Sequence, residues 1–514
     1  VNTLSTFNGG VHPPQHKTES NRLPIAVAPL PRRLVVPLRQ HIGEPANPLV
    51  QVGDAVLKGQ MIGAASAFVS AAVHAPTSGT VVAVAPHVVA HPSSLSDSCV
   101  VIEADGAERW IDRHPLDYRN AAPHAIRDYL RDAGVVGLGG AVFPTFIKLG
   151  SGPQQPLHTL VINGAECEPW ITSDDLLMRE RAGEIVAGIG ILVHLMQPEE
   201  VLIGIEDNKP EAIAAMTQAC AGMPFEVVAV PTVYPGGGEK QLIKVLTGKE
   251  VPSGQRPANI GVICVNVGTA YTVQRAVNHG EPVISRVVTV TGSVARPQNF
   301  EVPIGTPFRE LLDLAGGATP DTRRYIVGGP MMGFDLPSLD APLVKAVNCL
   351  IAASPALFPP APPALPCIRC GQCARACPAD LQPQELYWFA HSRNVEKARA
   401  YKLADCIECG CCSYVCPSSI PLVSYFRFAK GEIAALDGER RAADLARERY
   451  EFRQQRLARE ARERAELLAK KQAAAKAAAA ADPQAEAKKA AIQAALERSR
   501  AKQASAPTQE TDRP

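Results

Sequence analysis

The sequence has almost no net charge: 52 Lys and Arg stand against 51 Asp and Glu in 514 residues. A nucleic-acid partner therefore has no global electrostatic support. It also lacks an uninterrupted apolar run of the ~20 residues that a membrane-spanning helix needs. The best stretch, residues 185–196, is short and holds two glycines and His194, while residues 343–366 carry Lys345 and many prolines. Val1-Asn2-Thr3 opens without a basic region leading into an apolar one, so no secretory segment is expected. These absences predict a chain soluble by itself, reaching a membrane only through partners or an amphipathic surface. With no secretory signal and a large chain, the fourteen cysteines do not suggest a disulfide framework. Nine of the fourteen fall between Cys367 and Cys416, a clustering that points to metal.

The length exceeds one core, and about two to four domains are expected. Residues 1–30 are rich in Pro, Gly and His and read as an irregular arm. From 31 to 110, short valine-rich runs alternate with turn residues, an all-β pattern. Its segments 52–56 and 75–81 resemble the paired hairpins of lipoyl and biotinyl domains, the barrel-sandwich hybrid fold. The hairpin that carries the modified lysine there reads Ala65-Ser66-Ala67-Phe68-Val69-Ser70 here, without a lysine, so a docking scaffold is expected rather than a carrier. Residues 117–278 alternate strand and helix patterns: buried strands at 158–163 and 201–206, helices at 176–196 and 209–221. A small β-rich unit follows over 279–345, then a proline-rich linker at 346–366, the cysteine region at 367–430, and a charged helix with a disordered tail at 431–514. Glu and Arg within 440–471 are spaced for i,i+4 pairs, and Pro483 interrupts the Ala/Lys-rich tract that follows.

The cysteines form a repeat. Cys367-x2-Cys370-x2-Cys373-x3-Cys377-Pro378 recurs as Cys406-x2-Cys409-x2-Cys412-x3-Cys416-Pro417. This is the bacterial ferredoxin run, in which the fourth cysteine of each motif serves the other cluster. One 4Fe–4S cluster is assigned to Cys367, Cys370, Cys373 and Cys416, and a second to Cys406, Cys409, Cys412 and Cys377. Zinc also takes four thiolates, but two copies of this spacing ending in proline are far more specific than a zinc ribbon. Cys411 reads as a bystander thiol.

A second signal is the glycine-rich stretch Gly134, Gly137, Gly139, Gly140 leading to Lys148. Closely spaced glycines let backbone N–H groups approach a phosphate that a lysine can neutralise. The stretch through Phe143-Pro144-Thr145 to Lys148 resembles the flavin loop of the NADH-oxidising flavoprotein subunit of respiratory complex I. Val161-Ile162-Asn163-Gly164-Ala165-Glu166-Cys167-Glu168-Pro169 is similar to the N-A-D-E-x-E-P segment of that subunit. Gly238-Glu239 with Leu242, and Val265-Asn266-Val267, resemble two further elements of it. With the arm Gly9-Gly10-Val11-His12-Pro13-Pro14, the sandwich domain and the duplicated ferredoxin motif, the chain through about Gly431 resembles the C subunit of Rnf-type ion-translocating electron transport complexes.

That resemblance implies a multidomain α/β-plus-β protein: barrel-sandwich hybrid, FMN/NADH domain, an SLBB or β-grasp-like unit, a two-cluster ferredoxin-type domain and a charged helix. It implies FMN phosphate at Gly137, Gly139, Gly140 and Lys148, ring or ribitol contacts from Asn163, Glu166 and Asn266, nucleotide stacking on Phe143, and acidic contacts to NADH from Glu168 and Glu206. The plainer reading of Asn163, Glu166 and Glu168 is polar groups closing a strand end. The loop also departs from the relatives: Leu138, Val142 and Phe146 replace an Arg and two glycines, Ala165 replaces an Asp, and Leu149-Gly150-Ser151 offers no second stacking aromatic. The implied activity is that of an NADH-dependent oxidoreductase subunit of a translocase. Hydride passes from NADH to FMN, then single electrons pass through two 4Fe–4S clusters to partner subunits and ferredoxin or flavodoxin. The implied location is peripheral, on the cytoplasmic side of the cell inner membrane. Two other functions fit the residues: a non-catalytic iron–sulfur wire, and the flavoprotein subunit of a soluble NAD-linked dehydrogenase or hydrogenase. The proline-rich linker predicts that flavin and cluster modules are separable.

Overall fold

A computed structural model describes residues 4–150, 157–481 and 484–504. Val1-Asn2-Thr3, Ser151 and Pro483, each used above, lie outside the described residues, as do 505–514 of the expected tail. The chain divides into one unit over Val1–Gly431 and a second over Glu432–Pro514.

The valine-rich runs near the N-terminus form two small sheets. Arg33–Pro37, Ser96–Ala104, Gly79–Val88 and Ala55–Val56 pair antiparallel in that order, and Asn47–Pro48, Met61–Ala64 and Val73–His74 make the second sheet. Leu34, Val36, Ile62, Val81, Val100 and Ile102 fill the space between them. β-branched residues at alternate positions suit such half-buried pleated surfaces.

The next layer positions the site. Four strands, Phe225–Val230, Glu200–Glu206, Thr159–Asn163 and Val262–Asn266, form a parallel sheet in that order. Residues 201–206 are buried throughout, as parallel strands covered on both faces must be. Leu160 and Ile162 face Ile185, Ile189, Val273 and Val277, which come from the helices Ala182–Met196 and Val267–His279. Val161 faces the opposite way, onto Leu242 and Leu246 of the helix Glu239–Thr247. Thr159–Asn163 comes first in sequence and has later strands on either side. The chain order therefore reverses there, and in open α/β sheets ligands bind in the crevice outside the strand C-termini at such a point. The expected helix 176–196 is two helices, Ser173–Glu180 and Ala182–Met196, broken at Arg181, whose φ of −129° is not helical.

A fourth sheet is mixed: Ala26–Val27, Gln298–Pro303, Ser285–Gly292, Cys349–Ala353, Arg324–Val327 and Phe334–Asp335. It corrects two boundaries. Residues 349–353 are a fully buried strand parallel to Ser285–Gly292, so the proline-rich linker starts after it rather than at 346. The arm is not wholly irregular either, because Ala26 and Val27 pair with Phe300 and Glu301.

The cysteine region also differs from expectation. Ala376, Cys409 and Cys411 share a small core with Val11 and Tyr234, and Met331 packs on it. The cluster module thus packs into the larger body rather than standing apart beyond the linker. After it, the helix Leu422–Ala480 is longer than the 440–471 expected, with i,i+4 pairs Arg456–Glu460 and Arg459–Glu463. Residues Ala485–Ala504, expected in a disordered tail, are helical; their Ala, Lys and Glu content favours that. No helix among the described residues is long and apolar enough to cross a membrane.

Candidate functional site

Two short helices, Gln372–Arg375 and Cys411–Tyr414, each follow a glycine with positive φ, Gly371 and Gly410, and turn the cysteine loops inward. The structure brings the eight motif cysteines together in the two crossed sets expected. Cys377, Cys406, Cys409 and Cys412 line one cavity, walled by Pro378, Leu386 and Phe426. Cys367, Cys370, Cys373 and Cys416 line another, beside Tyr387 and Leu422. Among the described residues no three His, Cys, Asp or Glu side chains converge on a single metal ion. The four thiols of each cage stand around a larger, mostly apolar space. That donor set fits an iron–sulfur cubane, with the Glu408 N–H pointing at Cys406 Sγ (3.4 Å) as sulfur-directed bonds do in such sites. Burial pushes the Cys406 thiol up to about 11, so ligation has to displace its proton. Cys411 lines neither cavity. It is fully buried, with its thiol directed at the Tyr234 carbonyl.

The cages differ in exposure. Cys409 and Cys412 are buried and Tyr234 donates its O–H to the Cys409 carbonyl (2.7 Å), whereas Cys370 is exposed and Ile368 beside it is 68% exposed.

At the reversal point, Asn163 and Asn266 are register partners at the ends of adjacent parallel strands. Asn266 is also the N-cap of Val267–His279, its Oδ1 accepting from Gly268 N (2.9 Å), so a helix N-terminus opens on the crevice. Gly139 lies over Asn266, where a Cβ would stand 3.1 Å from the Asn Cβ; the glycine permits this approach. The glycine loop is closed by Gly137 N–H to Phe143 O (2.9 Å). It is clamped by Leu138 N–H to Thr269 Oγ1 (2.8 Å), Arg286 to Leu138 O (3.4 Å) and Ile42 N–H to Val142 O (3.3 Å). Gly139, Gly140 and Ala141 remain exposed at its tip, and Phe143 is half-buried. Opposite, Asn163 donates to Gly237 O (2.8 Å), and Lys148 pairs with Glu239. The structure thus gathers Gly139, Lys148, Asn163 and Asn266 around one crevice, with loop 233–239 as its far wall.

The three other acidic candidates have internal partners. Glu166 accepts from Asp174 N (2.6 Å), Asp175 N (3.2 Å) and Ser173 Oγ (3.2 Å), so it caps the helix Ser173–Glu180. Glu168 accepts from Met331 N (2.7 Å) and Met332 N (3.0 Å), and burial raises its pKa. Its side chain lies so close to Gly329 that a Cβ there would be 1.9 Å away. Glu206 is a correction. It has no exposed surface and forms a buried ion pair with Lys209 (3.0 Å), so it is an internal counter-ion rather than a group a diffusing nucleotide meets.

The structure adds residues that the sequence does not single out. Asp174 accepts from Asn266 Nδ2 (2.7 Å); burial and then repulsion from Glu166 push its carboxyl up to about 7. Arg286, brought from the mixed sheet, is buried near it. Glu239 had a signal, since Gly238-Glu239 is part of the complex I resemblance. For Asp174, Arg286 and Tyr234 no local pattern exists.

Comparison with known proteins agrees with this layout. Residues 5–107 match the RnfC barrel sandwich hybrid domain, 130–275 the Nuo51 FMN-binding domain, 287–335 the SLBB domain and 366–420 the 4Fe–4S dicluster domain. The C subunit of the ion-translocating oxidoreductase complex of Pseudomonas aeruginosa is 52% identical over 89% of this chain and 59% of its own length. That of Salmonella gallinarum is 51% identical over 88% of this chain and 67% of its own length. The chain thus spans about three-fifths to two-thirds of the length of these curated relatives. The NAD+-reducing [NiFe]-hydrogenase in its H2-reduced state aligns over 62% of this chain and 64% of that one, at 20% identity and a TM-score of 0.45. Residues 130–275 are therefore a Nuo51-type FMN-binding domain and residues 366–420 a 4Fe–4S dicluster domain, and the chain belongs to the RnfC family, the C subunits of ion-translocating oxidoreductase complexes.

Proposed function

We propose that the chain is a peripheral subunit of an Rnf-type membrane complex, taking electrons from NADH and passing them singly to partner subunits, and through them to ferredoxin or flavodoxin. FMN, when bound, supplies the exchange between a hydride and single electrons, and two 4Fe–4S clusters supply the relay. The protein contributes placement. Gly139, Gly140 and the helix N-terminus at Val267 offer N–H groups to a phosphate, and Lys148 offers it a counter-charge. Asn163 and Asn266 orient the remainder. Phe143 offers a face for nucleotide stacking. Cys377, Cys406, Cys409 and Cys412 hold the cluster nearer the crevice; Cys367, Cys370, Cys373 and Cys416 hold the outer one.

The observation that carries this reading is loop 233–239. At one end Gly237 and Glu239 meet Asn163 and Lys148 at the crevice; at the other, Tyr234 is bonded to Cys409 of the buried cage. Electron donor site and first relay therefore share one short segment. Anaerobic purification tests it: one FMN and about eight iron atoms per chain are expected, with both reduced by NADH. Iron without flavin would leave the wire reading in its place. The internal partners of Glu168 favour that second reading for the NADH step alone.

A further inference from the structure

The N-terminal arm runs between the buried cage and the crevice. Gly10 N–H bonds to Ala376 O (3.1 Å), Val11 bridges Tyr234, and Gln15 O accepts from Trp170 N (2.9 Å). Just after these contacts Lys17 enters the interior, only 6% exposed. Its ammonium donates to three main-chain carbonyls: Glu166 O (2.7 Å), Ile171 O (2.8 Å) and Glu168 O (3.1 Å). Three carbonyls of one turn are thereby aimed inward at a single ammonium. Within that turn Glu166 and Trp170 hold left-handed φ values of 51° and 72°, which non-glycine residues keep only where their surroundings fix them. The Glu166 side chain then caps Ser173–Glu180 and places Asp174 against Asn266. Ser20 continues the attachment, its Oγ 2.8 Å from Thr172 Oγ1.

We propose that Lys17 is a positioning residue of the flavin-nucleotide site: its buried ammonium gathers the carbonyls of residues 166–171, and this fixes the turn that presents Glu166 and Asp174 beside Asn266. The arm is on this account part of the cofactor site rather than a leader to it. The inference rests on the FMN reading above. No other described cation reaches these three carbonyls; Lys209 bonds instead to Ala165 O (2.7 Å) and Glu206. Removing Lys17 leaves three oriented acceptors without a donor inside the protein.

The test uses full-length chain stripped of flavin and titrated with FMN, read by quenching of flavin fluorescence, with iron content measured alongside. Lys17→Ala should weaken FMN binding about tenfold or more, as expected for losing a charged hydrogen-bond donor, at unchanged iron. Propylammonium, which restores the missing atoms, should recover much of the affinity. Tetramethylammonium at equal ionic strength, which has no N–H, should not. Wild-type affinity in Lys17→Ala, or a loss that propylammonium does not recover, overturns the proposal. If Lys17→Ala does not fold, Ser20→Ala loosens the same arm: affinity reduced several-fold supports the proposal, unchanged affinity overturns it. Wild-type chain that binds no FMN refutes the proposed function instead, so the two failures are distinct.

Discussion

The two cysteine cages take all their thiols from one stretch of chain, Cys367 to Cys416, whereas the crevice at the sheet reversal draws its walls from segments spread between Gly139 and Asn266. In a cage each side chain is one of four covalent anchors around a shared object. In the crevice, as proposed, N–H groups, one lysine and two asparagines would each add a modest, partly solvated contact to the cofactor. The difference predicts two kinds of response to damage: collapse of a whole cluster when one thiol goes, and graded weakening when a crevice group goes.

The largest expected effect is at Cys377. Cys377→Ala lies in the first motif yet should remove the cluster of Cys406, Cys409 and Cys412, taking iron from about eight to about four per chain. Loss of the Cys367 cluster instead would break the crossed assignment; iron analysis with EPR decides. Next is Lys148→Ala, which should weaken FMN binding by about ten- to a hundredfold, the value of one charge-assisted bond, while iron stays constant. An all-or-none loss of flavin would erase the contrast between the two regions. Asp174→Asn is subtler. The Asp174 carboxyl is raised from 3.8 to about 7, so its penalty is absent below pH 3.8 and grows as pH rises towards 7. Relative to wild type, the variant should gain on the order of 1–3 kcal/mol across that window and then level off. Denaturant titrations at several pH values would show this, and a flat difference would mean Asp174 is ionised throughout. The smallest effect is expected at Cys411→Ser, whose iron content should equal wild type because that thiol lines neither cavity.

The same contrast explains what was legible in the sequence. The cage ligands are separated by two or three residues within each motif, so spacing alone identifies them. The repeat also indicates which cysteine crosses over. Asn163 was legible as a strand end, and Asn266 only through a segment resembling the complex I subunit. Lys17 and Glu166 are brought together across 149 residues, and Arg286 reaches Leu138 across 148, and no periodicity encodes such pairs. Glu206 looked available because it ends a strand; only the fold shows Lys209 folded back onto it. The strand Cys349–Ala353 was hidden by the prolines after it, though its five buried residues have no polar side chain. Tyr234 gave no signal either, and its bond to Cys409 ties the cysteine region to the larger body across the linker.

In the order we propose, electrons enter at the crevice, pass the buried cage beside Tyr234, and leave through the exposed cage at Cys370. Rapid-freeze EPR after mixing the anaerobic full-length chain with NADH tests it most directly. In Cys370→Ala, which loses the outer cluster, the inner cluster should still be reduced at the wild-type rate. In Cys409→Ala, which loses the inner one, reduction of the outer cluster should slow by orders of magnitude. An outer cluster reduced at the wild-type rate in Cys409→Ala would contradict the account.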